Sequence, residues 1–328
     1  MGEKGPGRLR FWLAGVVLAA TSTFLALGIV EAALRLARFE YHLSPTVQVG
    51  WPDPETIRGH YAGDADLFWV TQDYRTKLRA ARRSHPNVVF MGDSCTEFGT
   101  YPDRTLAVLA TEHGLAVSGV PLGVGGWSSE QGVAQLRRDV LPLHPRVIVV
   151  YFGWNDHWIA FGPTDPQLRR ARRLLWMSDH LRIVQLLMKA WMGSAANKSD
   201  RPFRVPPQAY LTNLLEIARL AKDSGVLPVL VTAPSNHVAG REPEYLLHRH
   251  VTRLPDVIPL HRKYVDLTKQ AAREGHAVLC DAAAAFDRLP DRDRLFRSDG
   301  IHFTADGDQA LAHIVGGCIA DGMNDTVH

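Results

Sequence analysis

Short apolar runs that alternate with helix-length segments constrain the fold of this chain more than any other feature. Five such runs are rich in valine and lack the polar alternation of a strand with one wet face. Uninterrupted runs of this kind are typical of parallel strands that are covered on both faces. The segments between them carry apolar residues every three or four positions, as amphipathic helices do. The chain is therefore expected to form a parallel sheet with helices on both faces. The runs begin at Val88, Ala116, Val147, Val226 and His276.

One segment breaks this alternation. Residues 157–207 separate the third strand from the next helix, which is far more than an ordinary connection. The segment begins with a basic cluster at Arg169, Arg170, Arg172 and Arg173 and continues rich in Leu, Met and Trp. A lid or a membrane-facing helix is one interpretation, because cationic residues beside exposed Trp and Leu suit an anionic lipid surface. The other interpretation is a helix whose apolar face packs on the domain. Both can hold if only part of that face is buried. The arginines are expected to form a solvated helix face, with attraction of an anionic substrate as the alternative.

The N-terminal region contains an uncharged stretch of twenty residues, 11–30. A helix of that length spans about 30 Å, the thickness of the hydrocarbon core of a bilayer. Lys4, Arg8 and Arg10 precede it and Trp12 lies at the interface position, which favours a cytoplasmic N-terminus and an exported remainder. We therefore expect a single-pass anchor in the cell membrane. The alternatives are a cleaved signal peptide, whose apolar core is usually about 7–15 residues, and a buried helix, which would show a polar face.

The 328 residues are expected to fall into three parts. Residues 1–38 form the cytoplasmic tip and the anchor, residues 39–84 form a polar linker and N-terminal extension, and residues 85–322 form the sheet domain with its insertion. The net charge of +3, without a Lys/Arg-rich arm, gives no reason to expect nucleic-acid binding. The three cysteines form neither a disulfide framework nor a zinc motif, so they say little about the compartment.

Polar residues cluster where the predicted strands end. Ser94 follows the first strand, Asn155 follows the third, and Asp299 and His302 precede the last helix. The carboxyl ends of parallel strands share one edge of the sheet, so these side chains are expected to converge there. Serine needs a base to remove its proton, and histidine is the residue type that titrates near neutral pH. We therefore predict Ser94 as the nucleophile, His302 as the base, and Asp299 as the carboxylate that orients the imidazole.

The oxyanion that such an attack creates needs donors that are already in place. The candidates are the backbone N–H of Ser94, the backbone N–H of Gly126 and the side-chain amide of Asn155. Gly126 is expected to lack a side chain so that the substrate carbonyl can approach, and Gly125 is the alternative. Cys95 is a rival nucleophile in principle but more naturally fills the core. Taken singly, each motif also fits a helix cap, a turn or a surface ion pair.

In these motifs the chain resembles the SGNH, or GDSL-type, hydrolase family of esterases, lipases and related acyl-transfer enzymes. The resemblance rests on GDS at 92–94, the glycine at 126, GxND at 153–156 and DxxH at 299–302, in this order. It covers roughly residues 85–320. The chain departs from the family pattern at Pro121, where an Asn usually stands ahead of the glycine. The resemblance implies a three-layer α/β/α sandwich with a five-stranded, flavodoxin-like parallel sheet.

The expected reaction is ester cleavage through an acyl-serine intermediate, without a metal or an organic cofactor. An anchored, exported esterase suggests removal of acetyl or another short acyl group from a cell-surface glycan or a small ester. Trp127, Trp154, His157 and Trp158 are candidate platforms for sugar rings or acyl chains, with core packing as the alternative. Two other functions stay open: an O-acyltransferase that acts on an extracellular polysaccharide such as alginate, and a non-catalytic glycan-binding module on a membrane stalk. The oligomeric state also stays open.

Overall fold

A computed structural model describes residues 6–51, 57, 59–196, 201–247 and 250–325. The strands are β1 (Tyr61–Asp64), β2 (Phe68–Thr71), β3 (Val88–Gly92), β4 (Gly119–Pro121), β5 (Val147–Tyr151), β6 (Leu227–Val231) and β7 (Val278–Cys280). The first helices are α1 (Pro6–Leu36), α2 (Pro45–Val49), α3 (Tyr74–Ser84), α4 (Ser94–Glu97), α5 (Tyr101–Glu112), α6 (Ser129–Gln135) and α7 (Asp165–Arg170). The others are α8 (Arg172–Ser178), α9 (Arg182–Ala196), α10 (Pro207–Asp223), α11 (Val257–Gly275), α12 (Ala282–Asp287) and α13 (Ala305–Asp325).

The main sheet has five parallel strands in the order β4-β3-β5-β6-β7. Every residue of β3 and β5 is buried, which explains why these two runs carry no polar residue. The edge strands β4 and β7 are only partly buried. The order reverses between β3 and β5, and in open α/β sheets ligands bind at the carboxyl ends of the strands at such a reversal. The predicted five-stranded parallel sheet between helices is confirmed.

Two predicted segments differ locally from the structure. The run expected as a strand from Ala116 becomes regular only at Gly119, where it pairs with Val88. The helix expected after Ser128 is regular only to Gln135 and continues as a π-turn and a 3₁₀-turn to residue 143. Pro142 lies within that last turn, and a proline has no backbone N–H to continue a regular helix.

Residues 39–84, expected as a polar linker and extension, contain two short helices and a hairpin among their described residues. The antiparallel hairpin β1–β2 and the helices α2 and α3 lie in this segment. Trp69 is fully buried, and its indole N–H donates to the backbone oxygen of Gly125 at 2.9 Å. The segment therefore packs on the sheet domain as an extension.

The insertion leaves and rejoins the domain through a short antiparallel ribbon. Ala160 N–H donates to the oxygen of Pro202 and Arg204 N–H donates to the oxygen of Trp158, both at 2.8 Å. Arg204 and Asp165 form a fully buried ion pair at 2.7 Å just beyond this ribbon. The helices α7, α8 and α9 between its ends contact α6, the hairpin and α1, for instance through Arg169–Glu130 and Arg172–Asp66.

Two further features bear on the location of the protein. Within α1, the stretch Phe11–Leu36 is long and apolar enough to cross a membrane, and 18 consecutive residues of it have a mean hydropathy of 2.2 with none of them buried. Of the basic residues predicted to flank it, Lys4 lies outside the described residues. Cys280 and Cys318 form a disulfide that joins the edge strand β7 to α13. The sequence had indicated no disulfide framework, and two cysteines 38 residues apart give no local signal of pairing.

Candidate active site

Ser94 lies at the turn between β3 and α4. A Cβ on Gly92 would lie 2.8 Å from the backbone oxygen of Tyr151, so only glycine allows the strands to approach this closely. The side chain of Asp93 accepts a hydrogen bond from the N–H of Cys95 at 3.0 Å and caps the helix. Ser94 is thus the first residue of α4, and its own N–H is among those that a helix leaves without an intrahelical acceptor.

Ser94, His302 and Asp299 form a continuous hydrogen-bonded chain. The Nε2 atom of His302 lies 2.8 Å from the Oγ atom of Ser94, and its Nδ1 atom lies 2.8 Å from Oδ2 of Asp299. The other carboxylate oxygen of Asp299 accepts the N–H groups of Ile301 and His302, each at 2.8 Å. This turn holds the carboxylate against the imidazole, which leaves Nε2 free to accept the serine proton.

Asp299 is suited to remain charged. Burial alone would raise the pKa of this carboxyl, but the hydrogen bond and charge of His302 and the two backbone N–H groups outweigh it and lower the pKa. The side chains of His302 and Asp299 are 24% and 29% exposed, so the chain can be reached from solvent. An ionised Asp299 holds the Nδ1–H tautomer and stabilises the imidazolium that would form during a reaction.

Asn155 reaches the same edge from the end of β5. Its side-chain amide donates to Oδ2 of Asp93 at 3.2 Å, and one N–H of that amide remains for another acceptor. Burial raises the pKa of Asp93 to about 6, against the lowering effect of its hydrogen bonds from Cys95 and Asn155. Asp93 therefore does more than turn the chain, because it also fixes the orientation of the Asn155 amide.

The loop at Gly125 and Gly126 is held by hydrogen bonds from three directions. The N–H of Gly125 donates to the Glu97 carboxylate, and the oxygen of Gly125 accepts from Trp69. The oxygen of Gly126 accepts from Nη1 of Arg204 at 2.7 Å. Among the described residues, the N–H of Gly126 has no such partner. The structure therefore favours Gly126 over Gly125 as an oxyanion donor.

The backbone conformation and the packing around it give a structural reason for glycine at position 126. The residue has a φ of +77°, and a Cβ there would point at Trp69, 3.2 Å from the ring, and at Pro45 and Val49. A side chain would thus press on the N-terminal extension. Glycine meets both the backbone conformation and the close packing of the extension.

Glu97 is a member of the site that the sequence did not indicate. Its side chain is 7% exposed and accepts from Nε2 of His60 at 2.6 Å and from the Tyr61 hydroxyl at 3.2 Å, besides the Gly125 amide. Glu97 lies one helical turn after Ser94, so α4 carries both the nucleophile candidate and the anchor of the glycine loop. Nothing in the local sequence distinguishes it from a surface glutamate.

The aromatic residues expected near the site are part of the core. Trp127, Trp154, His157 and Trp158 are all at most 3% exposed, so they offer no platform to a substrate. Two exposed aromatic residues lie beside the triad candidates instead. The ring centroid of Phe98 is 6.5 Å from that of His302, and the hydroxyl of Tyr245 donates to the Asp299 backbone oxygen at 3.3 Å.

Cys95 and the basic cluster have structural surroundings. Cys95 is buried, and burial raises the pKa of its thiol well above the usual range, which disfavours a thiolate nucleophile. Two members of the basic cluster pair with acidic residues of the domain, as described above, whereas Arg170 and Arg173 are exposed. The described residues contain no group of three or more His, Cys, Asp or Glu that would hold a metal ion.

A cleft of about 680 Å³, lined by both charged and apolar residues, lies next to the triad candidates. It opens beyond the ends of β6 and β7 and includes His237, whose Nε2–H donates to the Asp299 backbone oxygen at 2.9 Å. None of the three triad candidates lines it, so the reacting groups are outside the cleft and the cleft is a neighbour of the site. Its charged lining residues are Arg262, Asp266, Lys269, Asp287, Arg292 and Asp293.

Comparisons with known proteins agree with this arrangement at the level of the family. The profile of the GDSL-like lipase/acylhydrolase family matches residues 90–310, which is more than half of the chain. No curated protein matches the sequence.

Several solved structures are similar to this chain. A lipase/acylhydrolase from Enterococcus faecalis is 20% identical with a TM-score of 0.48, covering 71% of this chain and 95% of its own. A GDSL-like lipase from Bacteroides thetaiotaomicron is 17% identical with a TM-score of 0.48, covering 78% and 98%. An acetylxylan esterase from Geobacillus stearothermophilus is 18% identical with a TM-score of 0.45, covering 71% and 94%.

Proposed function

Because the chain belongs to the GDSL-like lipase/acylhydrolase family, and is therefore an ester hydrolase, we propose that it removes short acyl groups through a serine nucleophile. The acyl group is acetyl or one of similar size, and its carrier is a cell-surface glycan or a small ester. The observation that carries the proposal is the chain of two 2.8 Å contacts from Ser94 through His302 to Asp299. This geometry fits proton removal from a serine hydroxyl.

In the proposed reaction, Nε2 of His302 takes the Ser94 proton as Oγ attacks the ester carbonyl carbon. The tetrahedral intermediate places negative charge on the former carbonyl oxygen, for which the N–H groups of Ser94 and Gly126 and the amide of Asn155 are the donors. Collapse of the intermediate expels the alcohol, which takes the proton from His302 and leaves an acyl-serine. Loss of one donor of this kind typically lowers kcat about 10²- to 10³-fold.

Water completes the proposed cycle. His302 takes a proton from the water as its oxygen attacks the acyl-serine, and the second tetrahedral intermediate collapses to release the carboxylic acid. The proton passes from His302 back to Oγ of Ser94, which restores the starting state. Asp299 stays ionised throughout and offsets the positive charge that His302 carries between the two transfers.

A hydroxyl-rich substrate fits the surroundings of the triad candidates. The neighbouring cleft carries charged residues such as Arg262 and Asp293 beside apolar ones such as Ile258 and Val265, so its lining offers hydrogen-bond partners to the hydroxyl groups of a sugar. Phe98 is 43% and Tyr245 is 45% exposed, and both lie close enough to the triad candidates to contact a bound ring or acyl group.

We also propose that α1 anchors the protein in the cell membrane with the hydrolase domain outside the cytoplasm. The apolar stretch Phe11–Leu36 supports an anchor, and the basic residues before it favour a cytoplasmic N-terminus. The Cys280–Cys318 disulfide supports an oxidising compartment, where such bonds persist. In this arrangement the hydrolase acts on esters outside the cell.

The decisive experiment labels the protein with a fluorophosphonate probe and locates the modified residue by peptide mass spectrometry. Label on Ser94, its loss in Ser94→Ala and its retention in Cys95→Ala are expected, because the matched control removes the neighbouring nucleophile. Label elsewhere, or equal labelling of Ser94→Ala, would overturn the assignment.

The acyl preference is tested on p-nitrophenyl acetate, butyrate and octanoate and on acetylated oligosaccharides. Turnover is expected to be fastest on the acetyl esters and to disappear in Ser94→Ala. Product analysis with an added glycan acceptor shows whether water or a sugar hydroxyl takes the acyl group. Failure to turn over any short-chain ester would reject the proposed substrate class.

A further inference from the structure

The outward face of α9 is apolar, which is unusual for a helix at the surface of a soluble domain. Leu186 and Leu187 are 40% and 59% exposed, and Ala190 lies on the same side one turn later. The opposite side packs on the domain through buried residues such as Met188. A surface helix of a soluble domain normally turns charged residues to this outward side.

The charged residues of α9 point elsewhere. They are Arg182 and Lys189, and both face the segment that follows α1. Arg182 pairs with Glu40 at 2.6 Å, and the Nζ atom of Lys189 lies 5.7 Å from the ring centroid of Phe39. The outward face between them therefore carries no charge.

Exposed apolar residues continue into α8 and the turn between the two helices, where Asp179 and His180 are exposed as well. Trp176 is 59%, Met177 is 39% and Leu181 is 37% exposed. Arg173 is also exposed and lies one turn before these α8 residues, where a cation beside a tryptophan is typical of helices at a lipid surface. We call Trp176, Met177, Leu181, Leu186 and Leu187 the apolar face.

Contacts with α1 fix the position of the apolar face relative to the apolar stretch of α1. The carboxylate of Glu31 accepts the N–H groups of Arg182 and Ile183 at 3.0 and 2.9 Å, and so caps the N-terminus of α9. Arg35 donates to the oxygen of His180 at 2.6 Å. Glu31 directly follows the uncharged stretch 11–30, whose helix is about 30 Å long. If that stretch crosses the bilayer, the start of α9 lies at the edge of the hydrocarbon core.

We propose that the apolar face lies in the interfacial region of the same bilayer that α1 spans. This inference rests on the proposed membrane location. A lipid surface is the occupant because the face is continuous with the anchor through Glu31 and Arg35 and begins at the depth where α1 leaves the hydrocarbon. The hydrolase domain then has two attachments to the membrane and is held at a fixed height above it.

The test uses the full-length protein in vesicles of phosphatidylcholine and phosphatidylglycerol. Single cysteines replace Leu187 in the apolar face, Leu18 in α1 and Asp321 on α13, and each carries an environment-sensitive nitrobenzoxadiazole probe. Asp321 is the matched control because it is exposed on a helix that packs on α5. The unsubstituted protein, whose free Cys95 is buried, measures background labelling. Emission is quenched in turn by nitroxide-labelled lipid and by aqueous iodide.

The probe at Leu187→Cys is expected to emit at shorter wavelength than the control, to be quenched by the lipid nitroxide and to be protected from iodide. If the Leu18→Cys probe is quenched by lipid but the Leu187→Cys probe behaves like the control, the anchor stands and the inference fails. If lipid quenches neither the Leu18→Cys probe nor the Leu187→Cys probe, the proposed membrane location is wrong, and the inference that rests on it is wrong as well. A Leu187→Cys probe that is protected from iodide without quenching by lipid indicates a protein contact and also overturns the inference.

Discussion

Glu97 links the nucleophile candidate to the glycine loop at the scale of single residues. It follows Ser94 by one turn of α4, and its carboxylate accepts the N–H of Gly125. Within the part of the chain that the structure describes, the N–H of the next residue, Gly126, has no hydrogen-bond partner. We therefore propose Glu97 as a positioning residue, which acts on a substrate only through the loop that it holds.

Replacing Glu97 by alanine is expected to lower kcat about tenfold to a hundredfold, less than the loss of an oxyanion donor, with little change in KM. Glu97→Gln keeps an oxygen that accepts from Gly125 and is expected to restore most of kcat. Steady-state kinetics on p-nitrophenyl acetate separates kcat from KM. Glu112→Ala, which removes a carboxylate from a surface pair with His313, is the matched control and is expected to have no effect. Equal kcat values for Glu97→Ala and the unsubstituted enzyme would contradict this role.

The carboxyl of Asp156 makes the free energy of unfolding fall as the pH rises, whereas the carboxyl of Asp299 makes it rise. Its Oδ1 atom accepts the N–H and the hydroxyl of Ser129 at 2.9 and 2.6 Å, while Oδ2 has no partner among the described residues. Burial raises the pKa of Asp156 from 3.8 to about 7. Between those two values the folded state holds a proton that the unfolded chain has lost. Raising the pH through this window therefore destabilises the folded protein.

The variant Asp156→Asn cannot titrate and resembles the protonated carboxyl in shape. Its melting temperature relative to that of the unsubstituted protein is expected to rise steadily as the pH increases from about 4 to about 7. Other groups, including Asp299, contribute equally to both proteins and cancel in the difference. Differential scanning calorimetry at several pH values measures it. Parallel curves for the two proteins would show that this carboxyl does not retain a proton in the folded state.

At the scale of elements, the Cys280–Cys318 disulfide ties the edge strand β7 to α13 across 38 residues. By the chain-entropy argument a loop of this size adds about 4 kcal/mol of stability. Reduction is therefore expected to lower the melting temperature by about 10 °C. Thiol titration of the denatured protein should find one free thiol before reduction and three after it. Three thiols before reduction would mean that the bond does not form.

The strands of the main sheet could be predicted because their local sequence carries the signal. The valine-rich runs of β3 and β5 are buried on both faces, so no polar residue interrupts them. The hairpin β1–β2 could not be predicted in this way, since Trp69 finds its partner at Gly125, 56 residues further along the chain. The disulfide could not be predicted either, because its two cysteines lie 38 residues apart along the chain.

The candidate site residues also differ in how well the sequence predicts their positions. Ser94, Asp299 and His302 were proposed from motifs that lie at the ends of elements, and the structure brings their side chains into hydrogen-bonding distance. The nearby aromatic residues were harder to interpret, because sequence proximity does not show which way a side chain points. Trp154 stacks on His261 in the core with ring centroids 3.8 Å apart, whereas Phe98 and Tyr245 are exposed beside the triad candidates.

At the scale of the whole molecule, the contacts of α1 connect the proposed anchor to the proposed chemistry. Glu31 caps α9, α9 belongs to the insertion, and the base of the insertion places Arg204 against the oxygen of Gly126. A continuous set of packed elements thus runs from the apolar helix to the glycine loop. The side of the membrane on which this assembly lies decides which esters it can reach.

The side of the membrane on which the domain lies determines whether added protease can reach it. With Arg8, Arg10 and Lys4, which lies outside the described residues, at the cytoplasmic end of the anchor, the domain is expected outside the cytoplasm. Protease added to intact bacterial spheroplasts should remove a C-terminal epitope while a cytoplasmic marker stays protected. Changing these three basic residues to glutamate is expected to protect the epitope in part of the molecules. Protection of the epitope in the unsubstituted protein until the membrane is lysed would place the domain inside. The Cys280–Cys318 bond gives an independent check, because a domain held in a reducing cytoplasm would show all its thiols free.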